Sequence, residues 1–201
     1  VRGNICCPLD NVFGGTWIGV NNSGIFCAIT NWDLEENFHG RGLKSRGLIV
    51  SNTLNCTSTE DILKYWSELE AKNHKPFNII AGDINNLYHL SNDNKEMILT
   101  KLEEGLHIST GIGFNQPVPR DTFIRKNISQ TNLLDIMGSH DCGIGSEDSV
   151  CVHDQEHRWE TVSTSLIFFL NVDGNRSWIV MFKDGPGCSK SQMQTKQLGI
   201  L

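Results

Sequence analysis

The chain has 201 residues, 38% of them hydrophobic and 20% charged, a balance that suits one globular domain with a sizeable core and excludes a disordered or membrane-embedded chain. A formal net charge of −6, with no Lys/Arg cluster or aromatic-basic stripe, gives no electrostatic footprint for nucleic acid. The longest apolar run, Leu166 to Leu170, is too short for a transmembrane helix, and the N-terminus does not read as a signal peptide.

Thr16 to Asn21 and Gly24 to Thr30 read as strands joined at Asn22 and Ser23, residues suited to a tight turn, which predicts a hairpin. After a glycine-rich link at Gly40 to Gly47, Leu48 to Leu54 is expected as a short helix. A clearer helix follows. Ser58 with Asp61 three residues later resembles a capping box, and Ile62, Leu63, Trp66 and Leu69 form one apolar face before Pro76. Phe77 to Gly82 is mostly apolar and reads as a buried strand, turning through Asp83 to Asn86 into Leu87 to Leu90 as a second hairpin. Met97 to Leu102 is expected as a strand, His107 to Thr110 as strand or loop, and Thr122 to Met137 as a helical segment with polar interruptions. The last third is β-rich, with strands at Ser149 to His153, Thr161 to Val172 and Ser177 to Phe182, the last two linked by Asp173-Gly174. Leu166 to Leu170 is apolar at every position, which implies burial on both faces. No repeat or linker divides the sequence, so residues 1–201 are expected to form a single α+β domain of stacked antiparallel sheets covered by helices.

Seven cysteines, Cys6, Cys7, Cys27, Cys56, Cys142, Cys151 and Cys188, are odd in number and scattered, which predicts reduced thiols and a cytoplasmic setting. Asn-x-Ser/Thr sequons begin at Asn21, Asn55, Asn127 and Asn175, as chance allows in an Asn-rich chain. One constellation has metal-ligating chemistry: His140-x-Cys142, then Cys151-x-His153. On a strand, Cys151 and His153 would share a face and could join the earlier pair around zinc. The spacing is shorter than that of usual zinc ligand pairs, so no metal or other cofactor is assigned. Cys151 and His153 are also not expected to meet as nucleophile and base, since alternate strand residues rarely reach hydrogen-bond range.

The most specific signal is Phe13-Gly14-Gly15-Thr16-Trp17, followed by Gly24 and by Ala28-Ile29-Thr30-Asn31. Adjacent glycines let backbone approach a ligand or another segment closely, or shape a bulge, and Trp17 suits either a core or a pocket wall. With Ser45-Arg46-Gly47, Phe77-Asn78-Ile79-Ile80-Ala81, Thr161-Val162-Ser163-Thr164 and Asp184-Gly185-Pro186-Gly187-Cys188 in order behind it, the block resembles the NRDE-motif family, also called the transport and Golgi organisation 2 family. The resemblance covers nearly the whole chain. It implies kinship with N-terminal nucleophile hydrolases and their αββα layering, in which an N-terminal Cys, Ser or Thr attacks an amide carbonyl with its own α-amine as base. The family's N-terminal Cys and Asn-Arg-Asp-Glu string do not occur here, so the chain is expected to lack the first strands and to be inactive as it stands.

By the same resemblance Asn31 is the candidate donor to a developing oxyanion, although an Asn closing a strand into a turn is the plainer reading. Gly15, Trp17, Arg46, Ser109 and Ser163 become candidate substrate-binding residues; a loop arginine or serine facing solvent is the alternative for Arg46 and Ser109. Many relatives carry Arg before the Thr161 block, whereas this chain has Glu160, which reverses the local charge. Two functions follow as expectations. One is the body of an amide (C–N) hydrolase acting on a small-molecule amide; the other is a non-catalytic binding protein for a hydrophobic ligand such as haem, lipid or acyl-CoA.

Overall fold

The structure, a computed structural model, describes residues 3–12, 14–32, 43–140, 149–154 and 159–201. Phe13, the start of the Gly40 to Gly47 link and Cys142 lie outside them. The chain forms two compact units, one of Val1–Phe114, Phe169–Trp178 and Leu198–Leu201, the other of Asn115–Phe168 and Ile179–Gln197. Antiparallel strands dominate and helices are few and short. Among the described residues no helix is long and apolar enough to cross a membrane.

The first unit is built on a six-stranded sheet in simple sequence order: β1 (Ile5–Cys6), β2 (Ile18–Asn21), β3 (Phe26–Asn31), β4 (Phe77–Gly82), β5 (Leu87–Asn92) and β6 (Met97–Lys101). Each neighbouring pair is antiparallel. Both expected hairpins form, because their turns carry the right chemistry. Asn21 Oδ1 accepts from the amides of Ser23 and Ile25, and Gly24 takes the positive φ of 86° that the β2–β3 turn needs. Asp83 Oδ1 likewise accepts from the Asn85 and Asn86 amides between β4 and β5.

Pairing fixes which residues share a face. Cys27 stands opposite Ala81, Ile29 opposite Ile79 and Asn31 opposite Phe77. This face is covered by α1 (Arg46–Thr53) and α2 (Thr59–Ser67), whose Ile49, Val50, Ile62 and Trp66 complete the core with Phe77, Ile79, Ala81 and Leu90. Trp66 Nε1 donates to Thr53 Oγ1 at 3.0 Å and ties the two helices together. Helix α2 begins as expected, with the Ser58 side chain accepting from the Asp61 amide. The reciprocal bond of a full capping box is shifted by one residue, since the Asp61 carboxylate accepts from Thr57. Asn21 locks α1 to the sheet: its Nδ2 donates to the carbonyls of Leu54 and Cys56, both at 2.8 Å. With both amide hydrogens spent inside the protein, the Asn21 sequon has no free acceptor nitrogen in the folded chain.

The opposite face carries Phe26, Ala28, Thr30, Asn78 and His89. It meets a small hairpin of β7 (Ser109–Thr110) and β8 (Gly113–Phe114), whose Phe114 ring stacks on His89 at 3.9 Å between centroids. His89 Nε2 and Asn78 Oδ1 lie 3.0 Å apart.

In the second unit the expected helical segment at Thr122 to Met137 is two helices, α3 (Pro119–Asn127) and α4 (Leu133–Met137). Pro119 at the start of α3 sets an earlier beginning, and the Asn132 side chain, accepting from the Leu134 amide, caps a new helix where a continuous one was expected. The expected strand Ser149 to His153 is also corrected. Only β9 (His153–Asp154) is strand, paired with β10 (Trp159–Glu160). Upstream, the Cys151 amide donates to Ser139 O and the Val152 amide to Thr161 Oγ1, so this backbone bonds to loops rather than to a ladder.

A three-stranded sheet of β11 (Ser163–Val172), β12 (Asn175–Asp184) and β13 (Gln194–Gly199), in that order, contributes residues to both units. Its first turn uses Asp173 and Gly174, both at positive φ, as a two-residue hairpin demands. The expected two-faced burial of Leu166 to Leu170 does not hold. Leu166 is buried, but Phe168, Leu170 and Val172 are 39%, 41% and 60% exposed. These residues alternate on one row, so the row that is covered at the start of β11 emerges at its end; apolar composition alone does not reveal where cover stops.

Candidate functional site

A cleft of about 720 Å³ opens in the first unit, where the segment leading into β2 meets the end of β3 and the start of α1. It is framed by a backbone approach that only glycine permits. A Cβ on Gly15 would lie 2.8 Å from the Gly47 carbonyl carbon, and one on Gly47 would lie 3.2 Å from Thr16 O. The Thr16 amide also donates to Gly47 O at 3.3 Å. The two most specific sequence blocks, Gly14 to Trp17 and Ser45 to Gly47, are therefore halves of one contact. The loop before Gly15 is closed by Asp10, whose amide donates to Gly15 O and whose carboxylate accepts from the Val12 amide, both at 2.8 Å.

Four of the residues singled out from sequence, Gly15, Trp17, Asn31 and Arg46, line this cleft together. Trp17 is 39% exposed, so its side chain is a wall of the cleft and not a core residue. Asn31 ends β3 with its side chain exposed and, by strand alternation, on the same face as Ile29, which also lines the cleft. Arg46 is the first residue of α1, and its Nη1 donates to Pro76 O at 2.8 Å, which holds the guanidinium at the rim.

Ser109 lies elsewhere. Its Oγ is 2.6 Å from Thr30 Oγ1, and Thr30 faces away from Asn31, so Ser109 sits against the other side of the sheet. Ser163 begins β11 in the second unit and is not among the residues lining the cleft.

Sequence reasoning did not single out Lys44, Lys75 and Asp10, which also line the cleft. Lys44 directly precedes the Ser45-Arg46-Gly47 block and Lys75 directly precedes Pro76, whose carbonyl takes Arg46, so adjacency to the motifs was the available signal. Among the described lining residues three cations thus face one carboxylate. The start of α1 adds to this balance, because helix N-termini carry partial positive charge and no acidic residue occupies the first turn. Nearby, burial holds the pKa of His74 below the usual histidine value; a backbone hydrogen bond with Lys44 opposes this shift, and the charges of Lys44 and Arg46 add to it. The arrangement can bind an anion near α1, rest an apolar group on Trp17, Ile29 and Leu43, and offer an amide N–H from Asn31.

A model of the Transport and Golgi organisation 2 family matches residues 2–164, a stretch that contains every cleft-lining residue. A relative from Bos taurus, Transport and Golgi organization protein 2 homolog, is 37% identical over 73 residues, which are 35% of this chain and 25% of that protein. The matched stretch thus spans about a quarter of the curated relative's length.

Proposed function

Because the chain belongs to the Transport and Golgi organisation 2 family, we propose that its cleft binds a small organic amide with an anionic end, as the substrate-holding part of an N-terminal nucleophile type C–N hydrolase. The observation that carries the reading is the convergence of Asn31, Trp17 and Arg46 with Lys44 and Lys75 on one cleft. In this reading the cations and the start of α1 take a carboxylate or phosphate, and Trp17 and Ile29 take the acyl portion. Asn31 donates its side-chain N–H to the amide oxygen, where negative charge grows as the carbonyl is attacked. In this reading these residues hold and polarise the amide, and the nucleophile is a separate group.

The same wall and rim also suit a purely binding role for an anionic amphiphile such as haem, a lipid or acyl-CoA, with no bond broken. Calorimetric titration with an N-acyl amino acid, its neutral primary amide, haem and an acyl-CoA tests both. Tight binding of the N-acyl amino acid over its neutral amide supports the amide reading. Selective haem or acyl-CoA binding supports the second, and equal binding of charged and neutral amides contradicts both.

A further inference from the structure

In the second unit, His140, Cys151, His153 and Cys188 place one ligand atom each within 4.8 Å of all the others. We propose that these four side chains form a closed Cys2His2 site for a tetrahedral divalent metal ion, zinc in particular, that ties three separate chain segments together. The distances carry the argument. Two thiolates on a tetrahedral zinc lie about 3.8 Å apart and a thiolate and an imidazole nitrogen about 3.6 Å, given bond lengths of ~2.3 Å to sulfur and ~2.05 Å to nitrogen. Here the Cys151 and Cys188 sulfurs are 3.7 Å apart, and His153 Nε2 is 3.6 Å from Cys151 Sγ and 3.2 Å from Cys188 Sγ.

The surroundings orient the ligands. His140 Nδ1 lies 3.1 Å from Cys151 O, so Nδ1–H donates to that carbonyl and the lone pair falls on Nε2. A backbone carbonyl on the far ring nitrogen is the usual support of a metal-bound histidine. Ser149 Oγ donates to His140 O at 2.6 Å and pins the backbone of the same residue. Cys188 is delivered by the turn after β12. Gly138, just past α4, lets the Cys188 backbone approach to within 3.3 Å of where a Cβ would stand, and Lys183 Nζ donates to the carbonyls of Gly187 and Ser189. Cys188 lies beyond the 2–164 stretch matched by the family model.

Binding releases one proton from each thiol, and two thiolates balance the dication, leaving a neutral centre whose ligands are exposed except for buried Cys151. With four protein ligands no position stays open for water, so the site is structural rather than catalytic.

The test uses the whole chain, stripped with a chelator under reducing conditions and reloaded with zinc or cobalt(II). About one metal per chain is expected, and cobalt should show thiolate-to-metal charge transfer with tetrahedral visible bands. Cys188→Ser, at an exposed position, and His153→Ala should each weaken binding by more than the ~10–100-fold typical of losing a supporting residue. Cys56→Ser, in the other unit, should leave the spectrum unchanged. Wild-type chain that folds by circular dichroism yet takes up no metal, or gives cobalt bands without the thiolate band, overturns the proposal. So does a Cys151–Cys188 disulfide that persists under reduction in place of metal, or equal loss in Cys56→Ser.

Discussion

Lowering the pH should attack the first unit through His89. The ring is buried between the sheet and Phe114, and burial first, then the nearby His107, push its pKa down to about 4. A histidine with a depressed folded pKa favours the unfolded chain as soon as protons become available. Its penalty is absent well above the unfolded value of about 6.5, grows as pH falls below it, and is complete below the folded value near 4. Linkage between those two values gives a loss of about 2 kcal/mol at pH 5 relative to pH 7. Urea denaturation of wild type and His89→Gln at both pH values isolates this term, since the two proteins differ only at that side chain. For a slope near 2 kcal/mol/M, the wild-type midpoint should fall by about 1 M more than the variant's. Equal falls, or an imidazole resonance of His89 titrating near 6.5, would refute the account of that buried face.

Gly15→Ala puts a methyl against the Gly47 backbone, which cannot rotate away, and should cost ~1–3 kcal/mol of stability and weaken ligand binding as α1 is displaced; thermal unfolding and calorimetry read the two effects. Asn21→Ala removes four hydrogen bonds and leaves the Leu54 and Cys56 carbonyls without their donor, a loss of ~3 kcal/mol or more that equilibrium unfolding measures.

The first unit was readable in the sequence because local chemistry and tertiary structure agree there. Asn21 to Gly24 and Asp83 to Asn86 carry their turns, and the face of α2 packs where its spacing places it. The kinship of Gly15 and Gly47 was visible as motifs but not as a contact, since close approach between distant segments leaves no periodic trace. Charge at the cleft was missed for a related reason. Lys44 and Lys75 are 31 residues apart and converge because the Lys44 amide donates to Asn73 O and Arg46 reaches Pro76 O. In the second unit, polar residues capped new elements within what read as continuous ones, as Asn132 does for α4. The metal-ligating chemistry of His140, Cys151 and His153 was legible. Cys188, 35 residues after His153, was not, because only the turn behind β12 returns it to the cluster.

The central claim is that an anionic ligand end sits against the start of α1, and a paired titration tests it most directly. Affinities of an N-acyl amino acid and of its uncharged amide are measured for wild type and for Arg46→Gln. The carboxylate form should lose about tenfold or more, some 1.4 kcal/mol, in the variant while the uncharged form changes little. Equal losses for both ligands, or none for either, would mean the cleft does not read that charge.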